Sequence, residues 1–125
     1  MRDQFNLSGD FRGAIVNIQS KLENVQQTVG DLHGTDDTAR QELHDLIGRL
    51  SQELQKLPEG KKEEAEAVAE TAKVLVDQAK AEKPNKTMLQ ISGEGLKQAA
   101  RNLADILPGV LSIATQIVMT VAKLR

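Results

Sequence analysis

Apolar residues in this chain recur at alternating steps of four and three, and that spacing limits its fold more than any other feature. From Phe11 to Val29 they fall at Phe11, Ile15, Ile18, Leu22, Val25 and Val29. An α-helix turns once every 3.6 residues, so these six side chains line one face. The spacing returns in Leu43, Ile47, Leu50, Leu54 and Leu57, with Leu46 widening the stripe, and in Ala65, Val68, Ala72, Leu75 and Ala79. It returns again in Leu96, Ala99, Leu103 and Ile106 and, beyond Pro108, in Val110, Ile113 or Ala114, Ile117, Val121 and Leu124. A helix with one apolar stripe must bury it against other helices. The pattern therefore predicts a mainly α protein, an up-down bundle of about five helices, as a single domain over 1–125.

Breakers set the boundaries. Helix one is expected to start at Ser8 or Asp10, whose side chains accept from free N–H groups of a first turn, and to end near Gly30 or Gly34. Thr35, Asp36 and Asp37 offer the next N-cap, and Pro58-Glu59-Gly60 stops helix two. The short connection there predicts that helices two and three lie antiparallel. Lys83-Pro84-Asn85-Lys86 stops helix three, because the residue before a proline disfavours helical backbone. Pro108 divides the C-terminal stripe into two helices, the alternative being one long kinked helix.

Two stretches follow another period. Residues 3–7 and 87–91 alternate apolar with polar, and Phe5-Asn6-Leu7-Ser8-Gly9-Asp10 aligns with Leu89-Gln90-Ile91-Ser92-Gly93-Glu94. Alternation at period two predicts two short β-strands, each delivering a helix capped by Ser8 or Ser92, which pair with each other or with a second copy.

Composition narrows the chemistry. The 125 residues include no cysteine, which excludes disulfides, thiol nucleophiles and thiolate metal sites and fits a reducing compartment. Sixteen Lys and Arg against eighteen Asp and Glu give a net charge of −2, too little positive field to make nucleic acid a main partner. The first residues lack the apolar core of a secretory signal, so the expected location is cytoplasmic. His33 and His44 lie outside any metal-ligand spacing, and Ser8 and Ser92 sit outside a nucleophile-elbow motif. Glycines beside Ser8 and Ser92 evoke a phosphate cradle with Arg12 as its cation, but Asp10 and Glu94 would repel the anion. No catalytic, metal or cofactor-binding residue is assigned.

The run from Ile106 to Ala122 contains no formal charge. It falls short of the roughly 20 residues of a membrane span, and Ser112, Thr115, Gln116, Thr120 and Lys123 form a polar strip along one side, as on a core helix with an exposed edge.

The segments Phe5-Asn6-Leu7-Ser8-Gly9-Asp10-Phe11-Arg12-Gly13-Ala14-Ile15-Val16-Asn17-Ile18, Lys83-Pro84-Asn85-Lys86 and Ile113-Ala114-Thr115-Gln116-Ile117-Val118 together resemble an uncharacterised helical module of cyanobacterial proteins. The resemblance spans nearly the whole chain and implies an accessory interaction role beside signalling or host-defence domains, with no catalytic residue to carry over.

These readings lead to a non-enzymatic protein-interaction or oligomerisation module, without cofactor, whose contacts fall at Phe5, Leu7, Phe11, Leu89 and Ile91. Its partner is another protein or a second copy. The alternative is a membrane-active bundle whose apolar C-terminal helix, 108–124, is released to bind or insert into a membrane.

Overall fold

The computed structural model describes the backbone of residues 2–81 and 83–124 and the side chains of residues 12–58, 60–81 and 83–124. Five α-helices follow in order: α1 (Arg2–Gly30), α2 (Asp37–Leu54), α3 (Lys62–Lys80), α4 (Lys86–Arg101) and α5 (Pro108–Ala122). One 3-10 turn, Glu59–Lys61, leads into α3.

Local chemistry explains each start. Asp36 is extended, and its Oδ2 accepts from Ala39 N at 2.8 Å, satisfying a donor that the first turn of α2 leaves free. Asn85 does the same for α4, its Oδ1 accepting from Met88 N at 3.1 Å. Pro108 opens α5, where its missing N–H costs nothing, so the C-terminal stripe is divided and not kinked. Between α1 and α2 the chain reverses at Gly34, whose φ of +67° is the left-handed backbone that side chains disfavour. Asp36→Ala removes the cap of α2 and should lower the unfolding free energy by about 1 kcal/mol, read by urea denaturation followed by circular dichroism. A loss below about 0.3 kcal/mol would show that water replaces the cap.

Neighbours follow from specific contacts. Arg40 Nη1 donates to Leu32 O at 3.1 Å and Gln26 Nε2 to His44 O at 3.1 Å, so α2 folds back antiparallel on α1. Asp36 N donates to Leu124 O at 2.9 Å at one end, and Gly109 faces Glu53 at the other, which makes α2 and α5 antiparallel. Gly93 lies against Val118 and Gly95 against Thr71, placing α4 between α5 and α3. The ring order is α1, α2, α5, α4, α3, closed by α3 on α1. With an odd number of helices one neighbouring pair must run parallel, and it is α1 with α3. Helices α2 and α3 do run in opposite directions, as their short connection predicts, but they are not neighbours in the ring, where α1 lies between them.

One apolar cluster fills the ring. Leu22, Leu43, Ile47, Leu50, Leu54, Leu75, Leu96, Leu103 and Ile117 are all essentially inaccessible. Helix α3 contributes Ala65, Ala69, Ala72 and Ala79, small side chains that admit neighbouring backbones closely. On the outer face of this helix Lys73 Nζ pairs with Asp77 Oδ2 at 3.3 Å. Such exposed pairs contribute only a few tenths of a kcal/mol.

The two predicted strands are helical. Residues 3–7 belong to α1 and residues 87–91 to α4, and among the described residues no strand is present. For α4 the reason is visible. Its inward stripe runs Leu89, Ser92 and Gly93, Leu96, Ala99 and Ala100, a helical period whose middle rung is carried by two small residues that look like a turn in the sequence. Ile91 completes the apparent alternation but points outward, 59% exposed. Ser92 is therefore a buried mid-helix residue and not a cap, and residue 8 lies inside α1, away from any N-cap position. Two further corrections follow. Thr120, placed on the polar strip of α5, is buried, and Ile106, placed on the inward stripe, is exposed in the turn before α5.

Candidate functional site

Two surfaces stand out, on opposite sides of α4. The first is the outer seam of α3 and α4. Gly95 meets Thr71, so the antiparallel register brings Val74 within one residue of the level of Ile91. Val74 (38%), Met88 (40%) and Ile91 (59%) are exposed there, three of the six large apolar side chains that reach solvent among the described residues. Val16, Ile106 and Met119, the other three, lie on different elements.

The second surface is a pocket of about 380 Å³ where the end of α3, the start of α4 and the end of α5 converge. Leu75, Ala79, Leu89, Val118, Val121 and Leu124 form its apolar walls, and Lys86 and Gln90 bring polarity to the edge. Beside it the two helices cross closely, since a Cβ on Gly93 would stand 3.1 Å from Val118 Cγ1. A larger side chain at 93 would force Val118 to move.

A further depression, about 450 Å³ between α1 and α3, carries polar side chains beside the apolar Ile18, Val25, Ala69 and Val76. Asn17, Ser20, Asn24 and Thr28 face Glu66, Lys73 and Asp77 across it. Lys21 Nζ bonds Glu70 Oε2 at 2.7 Å beside it, and that hydrogen bond, followed by the charge of Lys21, holds the Glu70 carboxyl below its ordinary range. The pair is exposed, so this is a surface ion pair tying α1 to α3.

The expected contact residues separate. Leu89 faces inward and lines the pocket, whereas Ile91, two positions on and about 200° round the helix, faces solvent. The side chains of Phe5, Leu7, Ser8 and Phe11 lie outside the described residues, and their backbone belongs to α1. Met88, Val74, Pro84 and Val118 escaped the sequence reading. The signal for Met88 and Val74 was their place off the helical stripe. Val118 and Pro84 become neighbours only when α4 and α5 pack.

His44 Nδ1 lies 3.4 Å from Asp45 Oδ1 on the surface of α2, and no group of three metal-ligating side chains gathers among the described residues. The apolar face of α5, with Val110, Ile113, Ala114, Ile117 and Val121, packs inside the ring. Among the described residues no helix is long and apolar enough to cross a membrane. No family model, curated protein or solved structure matches the chain.

Proposed function

We propose that the chain is a non-enzymatic protein-interaction module that associates through the apolar outer seam of α3 and α4. The exposure of Val74, Met88 and Ile91 on one seam carries this reading, because monomeric surfaces scatter such residues singly and interaction surfaces group them. The charged side chains agree with it. Pairs such as Lys97 with Glu94 and Lys56 with Glu53 each join residues three apart, and of the charged side chains that share the depression between α1 and α3, Lys73 is paired with Asp77. An accessory place beside signalling or defence domains follows from the resemblance alone.

The first partner to test is a second copy, since a face built on two antiparallel helices is readily repeated about a two-fold axis. Light scattering on a sizing column, with refractive index for concentration because Trp and Tyr are absent, should give a mass rising towards twice 13.6 kDa as concentration increases. Ile91→Lys should weaken that association at least tenfold. Val16→Lys, on α1, should not. A constant 13.6 kDa for the unaltered chain would overturn the self-association version.

A further inference from the structure

We propose that the pocket between the α3–α4 bend and the end of α5 binds a free long-chain carboxylate, an anion with a single alkyl tail. This goes beyond the association reading and uses the other side of α4. The walls are Leu75, Ala79, Leu89, Val118, Val121 and Leu124, so the surface inside is mostly apolar and suits an alkyl chain. Its volume, about 380 Å³, lies within the range of small-molecule sites.

Charge at the mouth selects the head group. Lys86 lines the pocket, Lys80 and Lys83 precede it in the bend between α3 and α4, and Lys123 lies between the lining residues Ala122 and Leu124. None of these four ammonium groups pairs with a carboxylate among the described residues, although five Lys or Arg ion pairs form elsewhere. The ten residues that line the pocket include one cation, Lys86, and no carboxylate. Lysine stems lie along apolar surface while their heads stay in water, which suits a carboxylate held at the rim above a buried tail. A bare phosphate would leave the walls unused, and a neutral or cationic amphiphile would leave the lysines unanswered. A protein segment needs roughly 800 Å² on each side for a stable complex, far more than a pocket walled by ten residues.

The test is calorimetric titration of the full chain with sodium dodecanoate below its micelle-forming concentration. The expected result is saturable binding at one site per chain, weakening two- to fourfold for each methylene removed in decanoate and octanoate. Dodecyltrimethylammonium, with the same tail and the opposite charge, should bind at least tenfold more weakly. The double variant Lys86→Glu, Lys123→Glu should lose at least tenfold for dodecanoate. Val118→Trp should abolish binding by filling the pocket, and Ala122→Trp, at the exposed lip, gives the same test should the first variant not fold. Equal affinity for the two head groups, unchanged binding by the lysine variant, or uptake that never saturates would overturn the proposal. So would cosedimentation with phosphatidylglycerol vesicles without dodecanoate binding, which would assign the lysines to a membrane surface. Neither arm touches Ile91, so this site and the association seam fail independently.

Discussion

Replacing Leu96 with alanine lowers the unfolding free energy by about 3 kcal/mol, whereas replacing Ile91 with alanine on the same helix changes it by less than about 0.5 kcal/mol. The contrast comes from where the two side chains go. Leu96 is fully buried in the ring, and Ile91 is 59% exposed. Leu96 also bears an unusual share of the anchoring of α4, because the inward neighbours above and below it are small: Ser92, Gly93, Ala99 and Ala100. Truncation leaves a cavity that these residues cannot fill by shifting their own side chains, so the loss includes a cavity contribution beyond the transfer of the missing methyls. A domain of this size is stable by about 5–15 kcal/mol, so the Leu96 variant loses a large part of its margin. Urea unfolding followed by circular dichroism should show a midpoint lower by roughly 1–3 M at unchanged slope. Equal losses for the two variants would mean that α4 buries a different face.

The same helix shows what the sequence could and could not reveal. Leu22, Val25, Val29, Leu43, Ile47, Leu50, Val68 and Leu75 announce their burial by spacing alone, because a long amphipathic helix carries a dozen residues that all report the same period. Asp36 and Pro108 announce boundaries because their chemistry suits a helix start and little else. Ser92 and Gly93 misled. In a count of hydrophobic residues they are a gap, and in the fold both are buried, with Gly93 so near α5 that a Cβ there would stand 3.1 Å from Val118. A small residue buried because a neighbouring helix needs the room carries no hydrophobic signal, so the stripe of α4 looked broken and its first turn looked like a strand. The surfaces were hidden for a related reason. Leu75, Leu89 and Val118 meet only through packing of three helices, and no local pattern encodes which helices become neighbours. Ring order was equally out of reach, since a short connection fixes the direction of the next helix but not whether it settles beside its predecessor or one place further round.

Proline substitution separates the helical from the extended form of residues 87–91 with a large effect. Ile91→Pro should cost at least about 3 kcal/mol and, with α4 lying between α3 and α5, lower the helical signal of the whole chain at modest temperature. Residue 91 lies inside α4, beyond the first four positions whose N–H groups have no partner, so proline there removes an intrahelical hydrogen bond and clashes with the carbonyl one turn back. On an edge strand the same substitution would be mild, since proline is tolerated where the N–H faces solvent. Lys86→Pro supplies the positional control. Lys86 is the first helical residue after the Asn85 cap, where proline suits the helix, and Asn85 already has φ −77° and ψ 115°, the extended backbone that a following proline requires. That variant should change stability by less than about 0.5 kcal/mol. Comparable losses at the two positions, or a harmless proline at 91, would contradict a helix starting at Lys86, and with it the placement of Leu89 in the pocket and Ile91 on the outer seam.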